Sequence, residues 1–185
     1  MAAIDGHLRD LGPVSRDVTE PLIAKLLANE ELWGADRTCF STAIPGAQHI
    51  VLKFPDRYPN SHTPASFRSN WSDWKPLLAP IIDDLITRLG IGVCDTSKIL
   101  FTRLNAGHHI PTHVDENPSS RIPHKIHLPL ITNPGVIFRI DGAPYHLAAG
   151  SAYELNNLLP HSVHNESDTA RVHLIFDCYP VNARS

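Results

Sequence analysis

From residue 98 onward the chain is written as short runs of alternating residues cut by turn signals, and no other feature limits its fold as much. "KILFTRL" (98–104) stops at Asn-Ala-Gly, "KIHLPLIT" (125–132) stops at Asn-Pro-Gly, and "GVIFRI" and "YHLAA" flank Asp-Gly-Ala-Pro. "SAYELN" (151–156) and "ARVHLIFDCY" (170–179) close the series, and "HIVLKF" (49–54) precedes it. A strand turns successive side chains to opposite faces, so runs of this length and period read as half-buried strands. Many short strands joined by turns predict an antiparallel sandwich or barrel. The 16 prolines agree, because proline removes a backbone donor and breaks helix interiors. The expected class is mainly β (α+β), a jelly roll or double-stranded β-helix of cupin-like form.

Two segments break the pattern with a period near 3.6 and predict helices, at 17–33 and 73–90. Asp17 or Thr19 could cap the first, and Gly90 stops the second, in which Pro80 marks a kink or the true start. The Pro-, Ser- and Asn-rich stretch 55–75 reads as a long loop bordering a site. The expected organisation is one domain over 1–185, with a helical part at 1–47 and the jelly-roll core at 48–180.

Hydrophobic residues are 42% of the chain, enough for a core, and a net charge of −3 with mixed signs argues against a nucleic-acid partner. No apolar run reaches about eighteen residues, so no membrane partner is expected. The N-terminus shows no secretory pattern. Cys39, Cys94 and Cys178 are odd in number and scattered, which predicts reduced, mostly buried thiols and a cytoplasmic protein.

The chemistry gathers around "HHIPTHVDE" (108–116). His113 and Asp115 are two apart and share a face if the segment is a strand. His161 or His164, in "LPHSVHN", could supply a third ligand. Two histidines and a carboxylate on one side of an ion form the arrangement used for non-haem Fe(II) oxygen chemistry. In the strand at 125–132, Lys125 and His127 share one face while Ile126, Leu128 and Leu130 share the other. In the strand at 170–179, Arg171 and His173 oppose Val172, Leu174 and Phe176. Two strands therefore send a cation to a common interior, where each needs an anion. A bound dicarboxylate would satisfy both, and so would internal Asp or Glu.

"RLNAGHHIPTHVDE", "KIHLPLITNPGVIFRIDG" and "YHLAAGSAYELNNLLPHSVHNESDTARVHLIFD" resemble the aspartyl/asparaginyl β-hydroxylase family of Fe(II)- and 2-oxoglutarate-dependent dioxygenases, in its proline cis-4-hydroxylase-like branch. The resemblance implies hydroxylation of an unactivated C–H bond with 2-oxoglutarate and O2, on an amino acid, a peptidyl side chain or a related small molecule. It implies His113, Asp115 and His161 as Fe(II) ligands, choosing His161 over His164 because the family's second ligand precedes its cosubstrate arginine by ten positions, as His161 precedes Arg171. It implies Arg171 and Thr102 at the far carboxylate, and Lys125 and His127 near the metal-bound end. Lys125 stands where well-known members have Arg, and loses the bidentate fork. A cupin-like isomerase or sensor without 2-oxoglutarate is the other enzyme-sized reading of three ligands, and a binding module without turnover is a third.

The remaining polar residues are read plainly. His108, His109, Arg121 and Arg139 are expected to be solvated. Asn156 and Asn157 are expected to fix strand ends or support ligands, and Trp33, Trp71 and Trp74 to pack. Asn165 opens a nominal glycosylation sequon that is discounted.

Overall fold

The computed structural model describes residues 4–34 and 45–181. Its strands are β1 (Leu8–Pro13), β2 (Ala47–Pro55), β3 (Ala65–Phe67), β4 (Cys94–Leu104), β5 (His109–His113), β6 (His124–Ile131), β7 (Val136–Ile140), β8 (Ala143–Tyr145), β9 (Ser151–Leu155), β10 (His161–Asn165) and β11 (Arg171–Pro180). Three helices accompany them: α1 (Arg16–Leu27), α2 (Trp71–Leu89) and the short α3 (Pro118–Arg121). Seven strands form one sheet in the order β1-β9-β6-β11-β4-β2-β3, and four form a second in the order β5-β10-β7-β8. Among the described residues the strand pairings are all antiparallel. Two antiparallel sheets of this connectivity make the expected double-stranded β-helix.

The alternation in β6 and β11 explains how the large sheet acquires two different faces. Ile126, Leu128, Leu130, Val172, Leu174 and Phe176 all turn to the convex face and join one core with α1 and α2. α2 contributes Trp74, Leu78, Ile81, Ile82, Leu85 and Leu89 to it. Each such side chain stabilises the fold by roughly 1.5–3 kcal/mol when fully buried. Pro76 and Pro80 both lie inside α2, on its exposed side, so neither marks its start. Gly90 ends α2 at φ 69, the left-handed conformation that glycine adopts without a Cβ clash. A second core, of Leu104, Val136, Phe138, Ile140, Leu147, Tyr153, Leu155 and Val163, lies between the two sheets.

Several elements differ from the sequence reading. The first helix ends at Leu27, and a single 3-10 turn at Glu30–Leu32 follows. Asn29 donates its side-chain N–H to the Lys25 carbonyl at 2.8 Å and stops the helix there. Its N-cap is Ser15, whose hydroxyl accepts from the Asp17 N–H, and neither Asp17 nor Thr19 serves. The N-terminal part is not helical alone, since β1 pairs with β9 at the sheet edge. "YHLAA" contributes a strand only up to Tyr145. The 55–75 stretch holds β3 and the start of α2 as well as loop, and its Tyr58 does line the central cavity. Cys178 is buried and Cys94 half-buried, both without a disulfide, and Cys39 lies outside the described residues.

Candidate metal centre

The concave face of the large sheet is the floor of a cavity of about 210 Å³. Period two sets what lines it. β4 sends Lys98, Leu100, Thr102 and Leu104 inward, and β6 sends Lys125 and His127. β11 sends Arg171 and Ile175 to the same face. Register then sorts these side chains into rows across the strands. Asp177 pairs with Lys98 on one side and Lys125 on the other, whereas His173 pairs with Thr102, and Thr102 with His49. The floor therefore has two polar ends, one of Lys98, Asp177 and Lys125 and one of Arg171, Thr102, His173 and His49. Four residues of β4 separate them, about 13 Å at a strand rise of about 3.3 Å. Leu100 and Ile175 lie between.

The opposite wall comes from β5 and β10, which place His113 and His161 directly across from one another. Their rings are 4.2 Å apart between centroids. His113 Nε2 is 3.7 Å from Asp115 Oδ1, and one donor atom from each of His113, Asp115 and His161 lies within 4.8 Å of the others. His164, three positions along β10, takes no part, and its ring stacks on His109 at 5.6 Å.

The protonation of these groups suits a divalent ion. Nδ1 of His113 is 2.8 Å from the Pro111 carbonyl oxygen, and Nδ1 of His161 is 2.9 Å from that of Leu159. A carbonyl only accepts, so each Nδ1 carries a proton, which leaves Nε2 as the ring atom able to bind an ion. Burial, the largest effect, pulls the His161 pKa down and keeps the ring neutral. Burial works against ionised Asp115, but nearby positive charge, that of the Lys125 ammonium foremost, outweighs it and holds its carboxyl well below the usual carboxylate range. Two imidazoles and one carboxylate converging from one wall suit Fe(II) with open positions.

At the other end, Arg171 is 2% exposed. Its Nη1 donates to Thr102 Oγ1 at 3.2 Å, and Nη2 lies 3.4 Å from His173 Nδ1. Phe138 lies against the guanidinium at 5.2 Å. Nε has no partner, and no carboxylate pairs with this cation among the described residues. Burial pulls its pKa down, as expected of a cation without a counter-ion. Burial also lowers the pKa of His173 and His127 well below the ordinary value, and that of His49 to about 4. Arg171 thus brings to this end a buried charge that lines the cavity and suits an anion.

His113, Asp115, His161, Thr102, Lys125, His127 and Arg171, the site residues expected from the sequence, all line this one cavity. Lys125 lines the cavity, but its ammonium lies 3.2 Å from Asp115 Oδ2 and 3.4 Å from Asp177 Oδ1. The internal-carboxylate alternative therefore describes Lys125, whereas no such carboxylate pairs with Arg171 among the described residues. Asn157 supports Asp115 as expected, at 3.4 Å from Oδ2, and also donates to the Ser120 carbonyl at 3.0 Å. Asn156 ties the N-terminal segment by donating to the Ile4 and Gly6 carbonyls. Lys98, Asp177, His49 and Ser120 were not anticipated. For Asp177 the signal was present, since Arg171 and His173 share its parity on β11.

No curated protein matches the sequence. Solved structures share the fold. A prolyl-4-hydroxylase of Pseudomonas putida superposes with a TM-score of 0.60 at 15% identity, over 96% of this chain and 94% of that one. A prolyl hydroxylase of Trichoplax adhaerens, solved with a hypoxia inducible factor oxygen degradation domain peptide fragment, gives 0.65 at 11% identity, over 95% and 84%. HygX of Streptomyces hygroscopicus, solved with nickel, 2-oxoglutarate and hygromycin B, gives 0.55 at 15% identity, over 95% and 82%. The model of the aspartyl/asparaginyl beta-hydroxylase family matches residues 66–180, which include the cavity residues from Lys98 to Arg171 and Asp177 beside them, and the chain belongs to that family.

Proposed function

We propose that this chain is an Fe(II)- and 2-oxoglutarate-dependent dioxygenase in which His113, Asp115 and His161 hold the metal and Arg171, with Thr102, binds the far carboxylate of 2-oxoglutarate. The observation that carries the reading is the pairing of a two-His, one-Asp cluster with a buried arginine that has no carboxylate partner among the described residues, in one cavity. A metal site alone has no use for such a cation, so a cupin-like isomerase or sensor leaves Arg171 unexplained.

Bound Fe(II) supplies the activation of O2, and the net reaction converts C–H, O2 and 2-oxoglutarate to C–OH, succinate and CO2. The protein's part is placement and exclusion of water. Arg171 fixes one end of the keto-diacid by a charge-assisted bond in a site where burial strengthens it. Thr102 orients the guanidinium through Nη1. His127, kept neutral by burial and by Lys125 and Arg171, lies between the two polar ends and adds no competing charge. Leu104, Phe138, Ile140 and Val163 wall the cavity with apolar surface. The primary substrate is an amino acid, a peptidyl side chain or a related small molecule that reaches the metal from the side of Tyr58, Phe54 and Lys98. No helix among the described residues is long and apolar enough to cross a membrane, and a cytoplasmic setting suits the unpaired Cys94 and Cys178.

The test is succinate release from 2-oxoglutarate by purified protein with Fe(II) and ascorbate, across a panel of amino acids and short peptides. Turnover that disappears in His161→Ala supports the reading. A protein that binds Fe(II) tightly but neither binds nor turns over 2-oxoglutarate would sink it.

A further inference from the structure

Asp115 offers its two oxygens to different neighbours. Oδ1 faces His113 Nε2 at 3.7 Å, while Oδ2 faces Lys125 Nζ at 3.2 Å and Asn157 Nδ2 at 3.4 Å. Lys125 is anchored in turn by Asp177 Oδ1 at 3.4 Å, and Lys98 reaches Asp177 Oδ2 at 2.9 Å. Lys98, Asp177 and Lys125 form one row across β4, β11 and β6, set by strand register. Lys98 is further held by Ser120 Oγ at 3.1 Å, and Asp177 is 1% exposed. Asp177 must serve two ammonium groups, so Lys125 is not neutralised by Asp177 alone and keeps its attraction for Asp115. The backbone agrees: the Asp115 N–H donates to the Asn157 carbonyl at 3.0 Å, which pins the loop that carries the carboxylate.

A carboxylate can bind a metal through one oxygen or through both. In a site that must also accept a chelating keto acid and O2, a second carboxylate oxygen on the metal removes a needed position. We propose that Lys125 and Asp177 are positioning residues that hold Asp115 Oδ2 away from the metal, so that Asp115 binds through Oδ1 alone and the remaining positions stay available. This rests on the metal reading above, and it moves Lys125 from the cosubstrate to the metal ligand. Lysine suits the task because one compact ammonium can bridge the Asp177 carboxylate of its own strand row and the Asp115 carboxylate of the loop after β5.

The test uses Co²⁺ bound anaerobically to the full chain, its visible ligand-field spectrum recorded before and after 2-oxoglutarate is added. Wild type and Lys125→Arg should share one spectrum. Lys125→Met and Asp177→Asn should alter it before any 2-oxoglutarate is present and should bind 2-oxoglutarate roughly 10–100-fold more weakly. Asp177→Asn keeps the side-chain shape and carries the test if Lys125→Met does not fold. If Lys125→Met keeps the wild-type cobalt spectrum while its 2-oxoglutarate affinity falls, Lys125 touches the cosubstrate and the proposal is wrong. An unchanged spectrum in Asp177→Asn overturns it equally. If wild type gives no cobalt spectrum that His161→Ala abolishes, the metal reading itself fails.

Discussion

Replacing Arg171 by methionine should separate the cost of a buried cation from its use. In the protein without ligands the guanidinium is almost wholly buried, has only Thr102 at 3.2 Å and the neutral ring of His173 at 3.4 Å as polar neighbours of its Nη atoms, and lacks a carboxylate partner among the described residues. Desolvation of such a group costs several kcal/mol. What it recovers from Thr102 is roughly 1.5–3 kcal/mol for a charged hydrogen bond, with about 0.5–2 kcal/mol more from Phe138. Methionine fills similar space without the desolvation cost, so Arg171→Met should melt no lower than wild type when 2-oxoglutarate is absent. Its effect on binding should be the reverse. A dicarboxylate left in a low-dielectric pocket without its cation loses roughly 3–5 kcal/mol, which is about two to three and a half decades in Kd. Calorimetric titration of 2-oxoglutarate into the Mn²⁺-loaded protein without O2, beside thermal melts of the metal-free protein, measures both. Arg171→Met binding 2-oxoglutarate within threefold of wild type would refute the argument, and so would a variant that melts far below wild type.

His113→Ala and His161→Ala should abolish succinate formation and metal binding, while His164→Ala, on the other face of β10, should keep most of both; metal content and turnover check this. Thr102→Val removes one charged hydrogen bond and should weaken 2-oxoglutarate binding by roughly tenfold, near 1.5 kcal/mol, read by the same titration. Stability should fall with acid because His49, His127 and His173 have lowered pKa values in the fold: their contribution is complete above the unfolded value near 6.5 and is lost as pH falls below it. For His49, whose pKa drops to about 4, this is roughly 3 kcal/mol across that window, and His49→Phe should flatten the pH dependence of denaturant unfolding. Asn165 is buried and donates to the Leu104, Asn105 and Thr169 carbonyls, so Asn165→Ala should cost roughly 3 kcal/mol in the same unfolding measurement.

The residues that sequence alone could place are those whose surroundings follow from parity. Ile126, Leu128 and Leu130 alternate with Lys125 and His127, and the face each group takes is dictated once the strand has an apolar side. β5 and β10 escaped because "HIPTH" and "HSVHN" are polar on both faces. They are strands because partners pair with them, which no local pattern records. β1 escaped for a similar reason: Gly12 and Pro13 sit in a sheet-edge strand with a bulge. The choice of His161 over His164 came from the family resemblance, through its spacing of ten positions to Arg171, whereas parity alone left Arg171 open between a bound dicarboxylate and an internal carboxylate. Lys125 was open too, because a lysine serves an internal carboxylate or a ligand equally well. Its choice was made by Asp177, which lies 52 positions away in sequence and opposite it in register.

The most direct measurement is a crystal structure of the Mn²⁺-loaded protein with an unreactive 2-oxoglutarate analogue. The account predicts the ion on Nε2 of His113, Nε2 of His161 and one oxygen of Asp115, with the analogue's far carboxylate on Arg171 beside Thr102. An ion bound elsewhere, or an analogue whose far carboxylate turns to Lys125 or Lys98 and leaves Arg171 alone, would contradict it.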